Sequence, residues 1–179
     1  MLSKPVRLAA LLLAAALAGC AGAPPYKSNL PPNLNVRTKL SSPSVLLTPA
    51  LGGTFEADMH VASVDRGCQR NYRGSVRLDA PAVSVGIPAD QPTYLVFEFS
   101  GRSAPTRGSA SSTYSTLLTP RSGYQYDVDV VYADQMYSVT VHERNPRSGA
   151  RREVERRAFS ACQPKTAGPA NRPEAHGAS

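Results

Sequence analysis

The chain has little of what catalysis and metal binding are usually built from. It carries three histidines and three cysteines in 179 residues. It has no H-E-x-x-H, no G-x-S-x-G and no glycine-rich phosphate loop. The motif-bearing zinc hydrolases, serine hydrolases of that type and P-loop nucleotide enzymes are thereby excluded. Neither Cys68 nor Cys162 has a second Cys or a His near it in sequence, so no metal site is expected. His60 and His142 fall on the polar sides of alternating segments and read as exposed, and His176 lies in a stretch without large apolar residues. No cofactor is expected, and no repeat of fixed period occurs. Long hydrophobic runs are also missing. The longest, Leu8 to Leu17, holds only Leu and Ala, and a membrane-spanning helix needs about 20 residues.

That short run has the size of a signal-peptide core. Lys4 and Arg7 precede it without any acid, and Leu17-Ala18-Gly19-Cys20 follows. This "LAGC" resembles the lipobox of bacterial lipoproteins. The resemblance implies that residues 1–19 are a signal peptide, that the thiol of Cys20 is lipidated, and that the new N-terminus is acylated. Ala21, rather than Asp, after Cys20 implies sorting to the outer membrane, with the chain facing the periplasm. Loss of residues 1–19 removes two cations and lowers the formal charge from +7 to +5. Such a charge favours anionic surfaces without specifying a fold. Anionic lipid, lipopolysaccharide and acidic glycan are the candidates in that compartment, and nucleic acid is not expected.

With Cys20 lipidated, Cys68 and Cys162 remain. In an oxidising compartment they are expected to pair. The bond would close a loop of about 95 residues, worth about 4–5 kcal/mol in the chain-entropy account.

Residues 20–34, rich in proline and small polar residues, read as the lipidated Cys and a tether. Residues 163–179 contain no large aliphatic or aromatic side chain and read as a disordered tail. The domain between them, 35–162, has a period of two rather than 3.6. Phe55, Ala57, Met59 and Val61 alternate with Glu56, Asp58 and His60. Val76 and Leu78 share a face, as do Val83, Val85 and Ile87. Leu95, Phe97 and Phe99 oppose Tyr94, Val96 and Glu98. Tyr124, Tyr126, Val128, Val130 and Tyr132 oppose Gln125, Asp127 and Asp129. Tyr137, Val139 and Val141 oppose Ser138, Thr140 and His142. Turn clusters at 65–67, 87–92, 119–123, 132–135 and 145–149 separate these runs. The fold class expected is all-β, an antiparallel β-sandwich of about seven to eight short strands with a disordered tether and tail. The last turn should join 136–144 to a strand over about 150–159. A helix there, with Val154 and Ala158 four apart, is the alternative.

The run "VGIPADQPTYLVFEFSG", followed later by "LLTPRSGYQYDVDVVY", resembles PEGA-like and transthyretin-like β-sandwich modules of bacterial envelope proteins. Asp90 stands where those modules carry glycine. The resemblance implies a small sandwich used as an envelope module.

Three features invite a functional role. Asp127 and Asp129 share a strand face about 7 Å apart, which suits Ca²⁺ or acid–base work but also an ordinary solvated face. The serine-rich stretch Ser103–Ser115 reads as a long loop, and loops on rigid sandwiches often carry contacts. Arg151, Arg152, Arg156 and Arg157 cluster near the last hairpin with Glu143, Glu153 and Glu155 interspersed. They suit either cross-strand pairing at an edge or the phosphates of an anionic surface. Arg66, Arg70, Arg73 and Arg77 would extend that patch through a Cys68–Cys162 bond. The expected function is a non-enzymatic, outer-membrane-anchored binding or structural module of the envelope, its partners the membrane through Cys20 and another envelope protein or anionic lipid. An accessory subunit of a trans-envelope secretion or assembly machine and a periplasmic hydrolase are the alternatives.

Overall fold

The computed structural model describes residues 23–40, 54–102, 109–133 and 136–163. Residues 1–22, which include the expected signal peptide and Cys20, and residues 164–179 of the expected tail lie outside the described residues. Nine strands occur among the described residues: β1 (Leu34–Leu40), β2 (Thr54–Val64), β3 (Arg70–Arg77), β4 (Ala82–Val85), β5 (Thr93–Arg102), β6 (Ser109–Leu118), β7 (Gln125–Ala133), β8 (Met136–Arg144) and β9 (Arg151–Glu153). They form a four-stranded sheet, ordered β3-β2-β5-β6, and a five-stranded sheet, ordered β4-β1-β7-β8-β9. All pairings are antiparallel except β1 with β7.

The alternation read from sequence sets which face of each strand is buried. Ala57, Met59 and Val61 of β2 and Leu95, Phe97 and Phe99 of β5 meet Leu34 and Val36 of β1, Tyr126, Val128 and Val130 of β7 and Val141 of β8 in one core. Within it, Phe99 stacks on Tyr137 with ring centroids 4.2 Å apart.

Two segments differ from their sequence reading. Ser109–Ser115, read as loop, belongs to β6, which pairs with β5 along its full length from Thr93↔Leu118 to Arg102↔Ser109. Serine is a poor guide there, because the ladder and the β-formers Thr113, Tyr114 and Thr116 decide the conformation. Ser103–Gly108 lie outside the described residues. At the C-terminal end, the strand expected over 150–159 forms only at Arg151–Glu153, and no helix forms. The Val154 N–H still donates to the Val141 carbonyl (2.8 Å), but Arg157 is already bonded to β6, its carbonyl accepting from the Leu117 N–H (2.8 Å). The chain therefore leaves one sheet for the other.

This crossing laces one flank of the sandwich, and a 3-10 turn, Phe159–Ala161, follows it. Cys162 then bonds to Cys68 in the β2–β3 turn. Residues 23–33, expected as tether, lace the opposite flank. The Pro24 carbonyl accepts from Ser75 (2.9 Å) and the Tyr26 N–H donates to the Ser75 carbonyl (2.7 Å), both at β3. The Tyr26 hydroxyl donates to the Gly86 carbonyl (2.8 Å). The Asn33 side chain pairs with both backbone groups of Ile87, just beyond β4. The straps thus bond to one edge strand on each flank, β3 at Ser75 and β6 at Leu117.

The N-terminal strap needs glycine beneath it. Gly74 has φ +133°, and a Cβ there would lie 2.6 Å from the Tyr26 nitrogen. Gly74→Ala is expected to destabilise the domain by about 1–3 kcal/mol through backbone strain and lost strap contact. Urea denaturation checks this, and an unchanged midpoint would show that the strap contributes nothing to stability.

Candidate functional site

The four arginines of the candidate anionic patch do not share a surface. Arg151 donates to Asp129 (2.9 Å) on the outer face of the five-stranded sheet. Arg152 turns the other way and donates through Nε to Glu143 (2.8 Å). Arg156 reaches the opposite sheet, lying 4.8 Å over the Tyr114 ring and donating to the Ser115 carbonyl (3.0 Å). Arg157 contributes its backbone, through N–H to Thr116 (3.3 Å) and carbonyl to Leu117. The segment crosses between sheets, so residues four apart in sequence part company. The extension through the disulfide also divides. Arg70 stacks over Tyr94 and Phe159, while Arg77 pairs with Glu56 and Asp58 at the other end of β3.

Asp127 and Asp129 do share the outer face of β7, and arginines engage them. Arg37 reaches both, Arg144 reaches Asp127, and Arg151 reaches Asp129. His142 lies 3.8 Å from Asp129. Cross-strand ion pairs of this kind stabilise a solvated sheet face.

Sequence reasoning groups Glu143 with the acids that pair across the last hairpin, and it does pair with Arg152, but its side chain also points inward. It has the same strand parity as Tyr137, Val139 and Val141, and it is accordingly buried, 4% exposed. Its carboxylate accepts from Tyr126 Oη (2.7 Å), Arg121 Nη1 (3.0 Å) and Arg152 Nε (2.8 Å). Burial alone would push the carboxyl up, but the bonds from Arg152 and Tyr126 and the charges of Arg152 and Arg121 outweigh it and hold the group below its ordinary value. Burial, together with the neighbouring carboxylate and against the Arg121 N–H, pushes the Tyr126 phenol up to about 12. The phenol stays protonated and donates. The carboxylate is engaged by three donors and is a poor proton acceptor.

Because its folded pKa is lowered, the stability Glu143 contributes is present above the ordinary glutamate value of 4.5 and is lost as pH falls through the lower folded value. Glu143→Gln should cost about 1–3 kcal/mol at neutral pH, because it weakens the partners of a buried phenol and two guanidinium groups. Denaturation curves from pH 7 to the acid limit of folding are expected to converge for variant and wild type. A gap that persists in acid would place the effect in packing instead.

The outer face of the four-stranded sheet carries ion pairs at its Arg77 end and, from His60 onward, a surface of a different kind. His60, Ala62, Arg70, Tyr72, Tyr94 and Val96 line a shallow trough of about 230 Å³. Adjacent strands bring them together: His60 lies opposite Val96, and Ala62 opposite both Tyr94 and Tyr72. His60 Nδ1 is 3.1 Å from Tyr72 Oη, and its Nε2 is 3.3 Å from Glu98. At the other end Arg70 is held by the rings of Tyr94 and Phe159, themselves edge-to-face at 5.1 Å. Tyr72 is 49% exposed; Tyr72 and Leu30 are the exposed large hydrophobic residues among those described. The trough is apolar and aromatic along its length, with His60 at one end and the Arg70 cation at the other, whereas the outer face of the other sheet is an ion-pair ladder. No protein-family model and no curated protein significantly matches the chain.

Proposed function

We propose that the protein is a non-enzymatic binding module of the bacterial envelope, anchored at the outer membrane through lipid on Cys20 and facing the periplasm, which docks another envelope protein on the His60–Tyr72–Tyr94–Val96 trough. The observation that carries the reading is the trough itself. Tyrosines with one apolar face and one polar tip are enriched where proteins meet. Straps bond to an edge strand on each flank of the sandwich, at Ser75 and Leu117, whereas the trough lies open on a sheet face. The "LAGC" stretch supports the anchor. An accessory subunit of a trans-envelope assembly would use the same surface. The hydrolase alternative gains nothing from Glu143, whose carboxylate is already engaged.

The test is quantitative co-purification from cross-linked envelopes. Tyr72→Glu places a charge in the trough at a half-exposed position, so its folding cost should stay within about 0.5 kcal/mol. It is expected to reduce recovery of the partner about tenfold or more. Arg147→Glu, at the exposed tip of the β8–β9 turn, should leave recovery unchanged. Equal recovery with Tyr72→Glu and wild type would reject the trough as the docking face.

A further inference from the structure

A second concavity lies under the N-terminal strap, away from the trough. Its volume is about 420 Å³, within the range of small-ligand sites. The strap from Tyr26 to Leu30 forms one wall and the ends of β2 and β5 the other. Two cations line it, Lys27 and Arg73, with no carboxylate. Neither cation has a side-chain partner among the described residues, unlike Arg37, Arg77, Arg121, Arg144, Arg151 and Arg152, which all pair with acids.

Arg73 is there for a structural reason. On β3, Gly74 pairs with Val61 and Tyr72 with Ala62, so Arg73 is the extra residue of a β-bulge. A bulge removes a residue from the sheet's alternation and re-aims its side chain. Thr93, also in the lining, is 1% exposed, and its Oγ1 has no hydrogen-bond partner. Leu30, 46% exposed, stands at the same site. Cations beside an exposed aliphatic side chain match an amphiphile with an anionic head.

The cleft is also close to the proposed anchor. Pro24 is already bonded to Ser75, four residues after Cys20. Four extended residues reach at most about 14 Å, so a lipid on Cys20 would hold this end of the sandwich near the headgroup layer.

We propose that the cleft between the N-terminal strap and the sandwich binds a phosphate-bearing headgroup, with Lys27 and Arg73 as its anion contacts. Phosphate recognition by Lys and Arg is a charge-assisted contact. Only the membrane as its source rests on the anchor proposed above.

The mature chain, beginning at Cys20 and labelled with ¹⁵N, is titrated with inorganic phosphate, with glycerol 3-phosphate, and with phosphatidylcholine vesicles with and without phosphatidylglycerol. Both soluble anions are expected to shift the amides of Lys27, Ser28, Asn29 and Gln91. Lys27→Gln combined with Arg73→Gln should weaken binding about tenfold or more, while Arg147→Gln leaves it unchanged. The remaining spectrum of each variant reports that the fold is retained. Absence of saturable shifts with either soluble anion, or equal binding by the double variant, would overturn the site whatever the state of Cys20. Shifts with soluble anions and with phosphatidylglycerol vesicles would assign a lipid source. Shifts with soluble anions alone would reject the lipid and leave a free phosphate ester as ligand.

Discussion

Replacing Cys68 and Cys162 together by serine is expected to lower the stability of the domain by about 4–5 kcal/mol, because the bond closes a very long loop. The two positions are 94 residues apart, and without the link the denatured chain regains that loop's freedom. The native state loses something as well. Cys162 ends the C-terminal strap, which covers β6 through Arg157 and places Phe159 against Tyr94. The double replacement avoids a stray thiol. A fall in melting temperature of about 10–20 °C should accompany the change. Reducing the wild type should produce the same shift. A loss below about 1 kcal/mol would show that the straps hold without the crosslink and that the loop-entropy account does not apply.

Cys20→Ser has the largest expected effect on location. One acyl chain gives only marginal membrane binding, with about 0.8 kcal/mol for each buried CH₂, so firm attachment needs further chains. The lipobox-like signal would supply them on Cys20. Fractionation of cells expressing the variant should move the protein out of the membrane fraction, or leave it unprocessed with residues 1–19 attached. A variant that matures normally and stays with the membrane would sink the lipid anchor. The trough and the cleft would stand unaffected as binding surfaces, because neither contains Cys20.

Strands β2, β5, β7 and β8 were legible because each is buried on one side and solvated on the other, so composition alternates along it. Strand β1 was not read, although Leu34 and Val36 alternate with Asn35 and Arg37; the proline-rich stretch before it suggested a tether. Strand β6 was obscured by serine, and what makes it a strand is its ten-residue ladder with β5, a long-range property. The strap contacts of Pro24, Tyr26 and Asn33 depend on partners about fifty positions away, such as Ser75 and Ile87, which no local pattern reports.

Site residues divide along the same line. Alternation placed His60, Tyr94 and Val96 on an outer face, and the same parity puts Glu143 inside beside Val141. Tyr72 joined the trough only through the β2–β3 pairing, whose bulge at Arg73 shifts the register by one. The arginine cluster was visible as composition, but its dispersal follows from a chain that changes sheets between Val154 and Arg157. Proximity in sequence is a reliable guide to proximity in space only while one element continues.

The most direct test of the docking face is site-specific photo-crosslinking in living cells. A photo-reactive residue replaces Tyr72 in the trough or, as comparison, Thr140 on the outer face of the other sheet opposite Asp129. The account predicts an adduct of one discrete mass at position 72, absent at position 140 and lost when Val96→Glu is added. No adduct at 72, or the same adduct at both positions, would contradict it.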